Sequence, residues 1–286
     1  MQFAIPRIPV NRIPEDEFLD RFYRLEKPVI ITGIEPPTDG VIHSLLARTG
    51  SRPGPGFAGS PLTCESDELV VPELVRAILS RDDIVLRTRP IRLWMQARGH
   101  RTLLHYDGNS LQGLNWQVTG SKQWTLISPN TPPPFFPFHP YAMTRANFNP
   151  DADRYDFCQF VTRPGDLVFV PRYWPHEVTA LEHRSSNINW VWTPRTPNLQ
   201  VAIGRRECAV LAWRNLIPGL SRLILEPTRL HDYGGGGEEL SRVYTEAVRG
   251  RELVRALASE LARLPLLPFY YTDLKWQFRH ARESLI

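Results

Sequence analysis

Lysine is nearly absent from this chain. Of its 34 basic residues only Lys27, Lys122 and Lys275 are lysine, and the other 31 are arginine. A GC-rich genome accounts for the skew, but it makes each surviving lysine a position to explain. Cysteine is equally scarce: Cys64, Cys158 and Cys208 are odd in number and far apart. They build neither a disulfide framework nor a CxxC zinc pattern, so a reducing, cytoplasmic setting is expected. No apolar run approaches the roughly 20 residues of a membrane span. Residues Met1 to Arg7 lack the basic-then-apolar order of a secretory signal. No basic block marks a nucleic-acid arm, and the net charge of +4 comes from interspersed charges of both signs. Neither nucleic acid nor membrane is an expected partner.

Proline is what the chain has in excess, at 27 of 286 residues. That favours turns and short strands over long helices. With 42% hydrophobic and 22% charged residues, disorder is excluded for the chain as a whole. A helix is predicted over Glu15 to Leu25 and a strand over Pro28 to Gly33. Residues 50–62 form a proline- and glycine-rich loop, and Pro72 to Ser80 reads as helical. From Asp83 to about Pro194 short β-type runs recur between Gly, Pro, Asn and Asp turns, which predicts an antiparallel barrel or double sheet. Residues 129–152 interrupt it with a long proline- and aromatic-rich excursion, a candidate lid or groove wall. Beyond Pro197 the pattern turns helical, over Ala202 to Leu216 and Glu238 to Leu264, with four glycines at 234–237 as a flexible link. Three parts are expected: 1–82 completing the core, 83–197 as the β core, and 198–286 as a helical extension.

The first chemical signal is His105-Tyr106-Asp107. Residues i and i+2 of a strand face the same side, so both side chains can reach one metal ion. His176 follows a Gly165-Asp166 turn, a strand and a proline-bearing loop, which can carry it across a barrel towards that pair. Two histidines and one carboxylate are the facial ligand set of non-haem Fe(II) oxygenases, which leaves positions open for co-substrates. Taken singly, His105 equally fits a hydrogen-bonded core histidine, and His176 a turn histidine beside aromatics. Lys122 opens a strand after the turn Thr119-Gly120-Ser121. There it is either an ordinary exposed hairpin lysine or a point charge for a carboxylate ligand. Asn187 and Asn189 share a strand face opposite Ile188, Trp190 and Trp192, which suits a polar barrel lumen as well as plain exposure.

These residues resemble the JmjC-type, cupin-fold Fe(II)- and 2-oxoglutarate-dependent oxygenases. The closest resemblance is to the small hydroxylase branch that includes the asparaginyl hydroxylase of hypoxia-inducible factor. It is carried by Pro28 to Gly33, Leu93-Trp94, Thr102 to Asp107, Asn115 to Trp124, Gly165-Asp166 through Trp174-Pro175-His176, and Asn187 to Trp190, in the family's order. The resemblance implies a mainly β fold, a double-stranded β-helix (jelly roll) with flanking helices and a C-terminal helical part. It implies Fe(II) held by His105, Asp107 and His176. It also implies 2-oxoglutarate whose distal carboxylate meets Lys122 and Thr102, with Asn189 and Asn115 lining the pocket. The implied reaction hydroxylates a C–H bond with dioxygen and yields succinate and carbon dioxide. Thr102 stands three residues before His105, so strand alternation faces the two apart unless a bulge intervenes.

Substrate choice is expected to sit in the excursion 129–152 and the loop 50–62, with Arg172 and Tyr173 as weaker candidates. A peptide or protein side chain is the first substrate class. A free amino acid or natural-product intermediate, an N-methyl group, and a non-catalytic cupin-like metal-binding protein are the alternatives. Leu253, Leu257, Leu261 and Leu264 near helical spacing lie in the part where the family forms homodimers; packing on the barrel is the other reading.

Overall fold

A computed structural model describes residues 1–48, 62–64, 68–131, 155–216, 237–266 and 268. Nearly all of the loop 50–62 and of the excursion 129–152, Gly234 to Gly236 and the segment carrying Lys275 lie outside the described residues.

Eleven strands build two sheets among the described residues. They are β1 (Arg7–Pro9), β2 (Val29–Thr32), β3 (Leu62–Cys64), β4 (Ile84–Gln96), β5 (Arg101–His105) and β6 (Gln112–Thr119). After them come β7 (Lys122–Ile127), β8 (Phe157–Thr162), β9 (Leu167–Val170), β10 (His176–Ala180) and β11 (Ser185–Pro194). One sheet runs β1-β2-β9-β6-β11-β4-β3 and the other β5-β10-β7-β8. All named pairings are antiparallel except β1 with β2. Consecutive strands β4 and β5, β6 and β7, and β8 and β9 thus lie in opposite sheets. That alternation is the jelly-roll arrangement expected from the sequence, a mainly β core with flanking helices.

Strand β11 shows why the sheets face as they do. Its odd-numbered Asn187 and Asn189 point into the space between the sheets, while Ile188, Trp190 and Trp192 lie in the large hydrophobic core on the other side. There they meet Phe18, Phe22 and Tyr23 of α1 (Glu15–Phe18) and the π-helical turn Leu19–Tyr23 that prolongs it. Tyr23 and Phe169 both stack on Trp192, at 6.3 and 6.4 Å between ring centroids. Phe18 and Ile188 are fully buried here, each contributing about 1.5–3 kcal/mol. The two asparagines are buried, which excludes the surface alternative.

Among the described residues there are five further α-helices: α2 (Asp39–Arg48), α3 (Glu73–Leu79), α4 (Ala202–Leu216), α5 (Gly237–Glu246) and α6 (Arg251–Ala262). Helix α2 is not foreseen by the sequence pattern. The single helix expected over Glu238 to Leu264 is two. Gly250 caps α6 with φ +59°, a left-handed value that glycine adopts without a Cβ clash, and the chain turns there. Helix α4 packs on the barrel through Cys208, Ala209 and Leu211 against Val85, Leu111 and Val191. No helix among the described residues is long and apolar enough to cross a membrane.

Candidate metal centre

The space between the sheets is a cavity. The seven residues that the resemblance assigns to iron and 2-oxoglutarate line it: His105, Asp107, His176, Lys122, Thr102, Asn189 and Asn115. His176 opens β10 and is the direct cross-strand partner of His105 at the end of β5, so the two rings share a face at 4.4 Å between centroids. Asp107 departs from the expectation of one continuous strand. Strand β5 stops at His105, and the carboxylate approaches from the segment beyond it. One ligand atom from each of His105, Asp107 and His176 lies within 4.8 Å of the others, and His105 Nε2 is 3.7 Å from Asp107 Oδ1.

The local chain fixes the tautomer of His176. Its Nδ1 is 2.9 Å from the carbonyl oxygen of Trp174, an acceptor, so that nitrogen donates. The lone pair is thereby left on Nε2. Burial first, and then the neighbouring His105, lower its pKa to about 4, which keeps the imidazole neutral as a ligand must be.

Thr102 reaches the same cavity through a bulge. His105 pairs with His176 and Thr102 with Val178, so three steps of β5 span two of β10. The extra residue reverses the alternation and turns Thr102 inward. Its hydroxyl oxygen accepts from Gln96 Nε2 at 3.2 Å.

Lys122 is 1% exposed, which excludes the exposed-hairpin alternative. The turn before it needs glycine: Gly120 has φ +63°, and a Cβ there would fall 2.3 Å from the carbonyl oxygen of Arg184. The ammonium donates to Asn187 Oδ1. No carboxylate pairs with it among the described residues, and burial alone lowers its pKa from 10.5 to about 7. A buried ammonium without a counter-charge is costly. His100 stands nearby: Ala180 of β10 pairs with Lys122 on one side and donates its N–H to the His100 carbonyl on the other. The His100 ring is buried with neither nitrogen hydrogen-bonded among the described residues. Burial, and secondarily Lys122, lower its pKa. On the opposite wall Asn189 Oδ1 accepts from Trp94 Nε1 at 3.1 Å, and Asn115 is its cross-strand partner.

Sequence reasoning missed Arg92, Gln96, Trp124 and Val178, which also line the cavity, and His100. Arg92 and Gln96 alternate with Leu93 and Met95 along β4 and share the face of Trp94. Period-two alternation was the available signal, obscured by the abundance of arginine. Arg172 and Tyr173 require a correction, because neither faces the cavity. Arg172 Nε donates to Glu26 Oε1 at 2.6 Å and its Nη1 to the Thr196 carbonyl at 2.6 Å. Tyr173 is buried in a polar cluster with Ser110.

That cluster centres on Glu207 of α4, which is wholly buried. Its Oε2 accepts from Tyr106 Oη and the Asn109 amide, both at 3.1 Å. Its Oε1 accepts from the Ser110 amide at 2.7 Å and Ser110 Oγ at 3.0 Å. Because Ser110 Oγ gives its proton to the carboxylate, Tyr173 Oη is the donor in their 2.5 Å contact. Burial raises the Glu207 pKa to about 7 against the opposing pull of these donors. Asn109, Ser110 and Tyr173 have φ of 62°, 53° and 68°. Left-handed conformations cost non-glycine residues on the order of 1–3 kcal/mol and persist where their surroundings over-determine them.

Residues 70–198 match the family described as the cupin-like domain. Among curated proteins the chain is similar to HSPB1-associated protein 1. The rat protein is 34% identical over 112 residues, covering 35% of this chain and 23% of the relative. The cattle protein is 31% identical over 156 residues, covering 49% and 32%. The chain therefore matches less than a third of either relative's length. An X-ray structure of E. coli ycfD aligns with 88% of this chain and 67% of its own at 16% identity, with a TM-score of 0.41.

Proposed function

We propose that this chain is an Fe(II)- and 2-oxoglutarate-dependent oxygenase that hydroxylates a C–H bond of a peptide or protein side chain. The observation that carries this reading is the buried Lys122 ammonium, unmatched by any carboxylate among the described residues, in the same cavity as two imidazoles and a carboxylate. The donor set fits a divalent first-row ion. The ammonium fits the far carboxylate of a dicarboxylic acid whose other end is at the metal. The cupin-like fold supports both, and a polar lining of Lys122 and Thr102 on one wall and Asn115 and Asn189 on the other supports a co-substrate over a bare metal site.

Each residue has a role in this reading. His105, Asp107 and His176 hold the ion, and the Trp174 carbonyl fixes the His176 tautomer. Lys122 and Thr102 take the distal carboxylate, while Asn115 and Asn189 line the pocket. Trp124 and Val178 give that wall its apolar part and exclude water. Bound iron would supply the chemistry that couples oxidation of 2-oxoglutarate to succinate and carbon dioxide with hydroxylation of the substrate. The relatives are named for association with another protein, which supports a protein partner here and a side chain as substrate. The buried, unbridged Cys158 and Cys208 support a reducing, cytoplasmic setting. Exposed Val254, Leu261 and Leu264 support a homodimer through the C-terminal helices, which light scattering measures.

An anaerobic titration tests the central reading. Fe(II) followed by 2-oxoglutarate should produce the visible metal-to-ligand charge-transfer band. The band should vanish in His105→Ala and require far more 2-oxoglutarate in Lys122→Ala. Absence of the band in wild type overturns the proposal. Succinate release over a panel of peptides and small molecules then separates side-chain hydroxylation from oxidation of a free amino acid or an N-methyl group.

A further inference from the structure

We propose that Glu207 is a positioning residue which, from helix α4 outside the barrel, holds the chain segments carrying Asp107 and His176 in the arrangement a metal ion requires. The inference rests on the reading of His105, Asp107 and His176 as metal ligands.

The connectivity is specific. Tyr106 lies between two of the three ligands, Asn109 and Ser110 follow Asp107 closely, and Tyr173 precedes His176 by three residues. All four converge on one carboxylate, three directly and Tyr173 through the Ser110 hydroxyl. Each oxygen of Glu207 takes two donors, and no cation is paired with it among the described residues. Three of these four residues hold left-handed backbone conformations, and they are the three that need outside support to stay there. Remove the acceptor and two buried amides lose their partner, in the turn that follows Asp107 directly. The Ser110 hydroxyl, through which Tyr173 ties the segment before His176 to that turn, loses its own acceptor at the same moment. The metal ligands themselves are untouched, so the effect is transmitted by position alone. Partners bonded directly to metal ligands typically govern affinity by about 10- to 100-fold, and Glu207, which touches only the ligands' chain neighbours, should act at the lower end of that range.

The test is a Co(II) titration of the purified full chain, read by the visible d–d absorption of the bound ion, with thermal unfolding of the metal-free protein alongside. Glu207→Gln is close in shape but turns an amide group towards two of the four donors. It should weaken Co(II) binding by about 10-fold, the lower end of the range for direct ligand partners, and alter the band shape. Tyr173→Phe, which removes one hydroxyl, should weaken it less and in the same direction. Glu260→Gln is the matched control. Glu260 is a buried carboxylate held by the neighbouring α4 residue Arg206 at 2.8 and 3.0 Å. It should lower the unfolding temperature and leave the Co(II) spectrum as in wild type. Glu207→Gln with wild-type affinity and spectrum overturns the inference, whatever its unfolding temperature. If Glu207→Gln does not fold, Tyr173→Phe decides, and wild-type Co(II) binding in that variant overturns it equally. A wild-type chain that binds no Co(II) fails at the metal reading itself, a result visible before any variant is made.

Discussion

Two buried charges sit at opposite sides of the candidate centre, and they are treated in opposite ways. Lys122, on the cavity wall, donates to a single side-chain amide oxygen. Glu207, behind the ligand segments, accepts from four donors. Both are wholly desolvated, so both pKa values move towards neutrality, to about 7 in each case. The difference lies in what the fold does about the cost. A charge with structural duty is saturated from within the chain, because an unmet buried group is expensive. A charge that the proposed co-substrate would meet is left short, because filling its needs internally would leave nothing for that carboxylate to satisfy.

Replacing each by an apolar side chain of similar size should therefore have opposite signs. Glu207→Leu leaves two buried backbone amides and two hydroxyls without an acceptor, at about 1–3 kcal/mol each for those that stay dry. The expected loss is the largest here, on the order of 4 kcal/mol or more, measured by chemical denaturation of the metal-free protein. Lys122→Met removes a charge that has almost nothing to lose, and an unbranched thioether can follow the lysine's path. A gain of a few kcal/mol is expected at pH 7, together with loss of 2-oxoglutarate binding. A stabilised Glu207→Leu or a destabilised Lys122→Met would break the comparison.

The contrast also explains what could be read from sequence. His105, His176 and Lys122 were legible because short-range pattern carries them: alternation on strands, a glycine turn and an ordered set of motifs. Lys122 stood out further because lysine is so scarce. The need for a bulge at Thr102 was legible as a conflict between its spacing and its implied role, and the pairing of β5 with β10 contains that bulge. Where Asp107 leaves its strand was not legible, since one residue decides it. Glu207 was invisible for a different reason. Its donors lie about a hundred residues earlier in the chain, and a glutamate in an arginine-rich helix looks like any surface residue. Long-range polar satisfaction leaves no local trace.

The two groups should also separate by pH. Glu207 has its pKa raised from 4.5 to about 7. The folded chain then holds more protons than the unfolded one between those values, so this contribution to stability is full below 4.5 and lost as pH rises through 7. Lys122 has its pKa lowered from 10.5 to about 7. The folded chain holds fewer protons over that range, so the penalty is full below 7 and fades as pH rises towards 10.5. Each slope is at most about 1.4 kcal/mol per pH unit. Denaturation curves from pH 5 to 10 should show the advantage of Lys122→Met over wild type largest below pH 7 and shrinking above it. Glu207→Gln should differ in slope from wild type only below about pH 7. A constant difference across the range would show that neither group titrates as its burial requires.

The smallest effect belongs to His100, which sharpens the ligand side of the comparison. Its ring is buried near Lys122 with no hydrogen bond among the described residues, and burial and the ammonium together hold it neutral. An anion bound at Lys122 would reverse the second of those influences, so the ring should become a weak second contributor to anion affinity. His100→Phe preserves the ring's bulk and removes both nitrogens. It should raise the 2-oxoglutarate requirement by a few-fold, corresponding to about 1 kcal/mol or less, and leave Co(II) affinity unchanged. Equal loss of both would place His100 with the structural groups around Glu207, and the division between the two sides of the centre would then no longer follow the walls of the cavity.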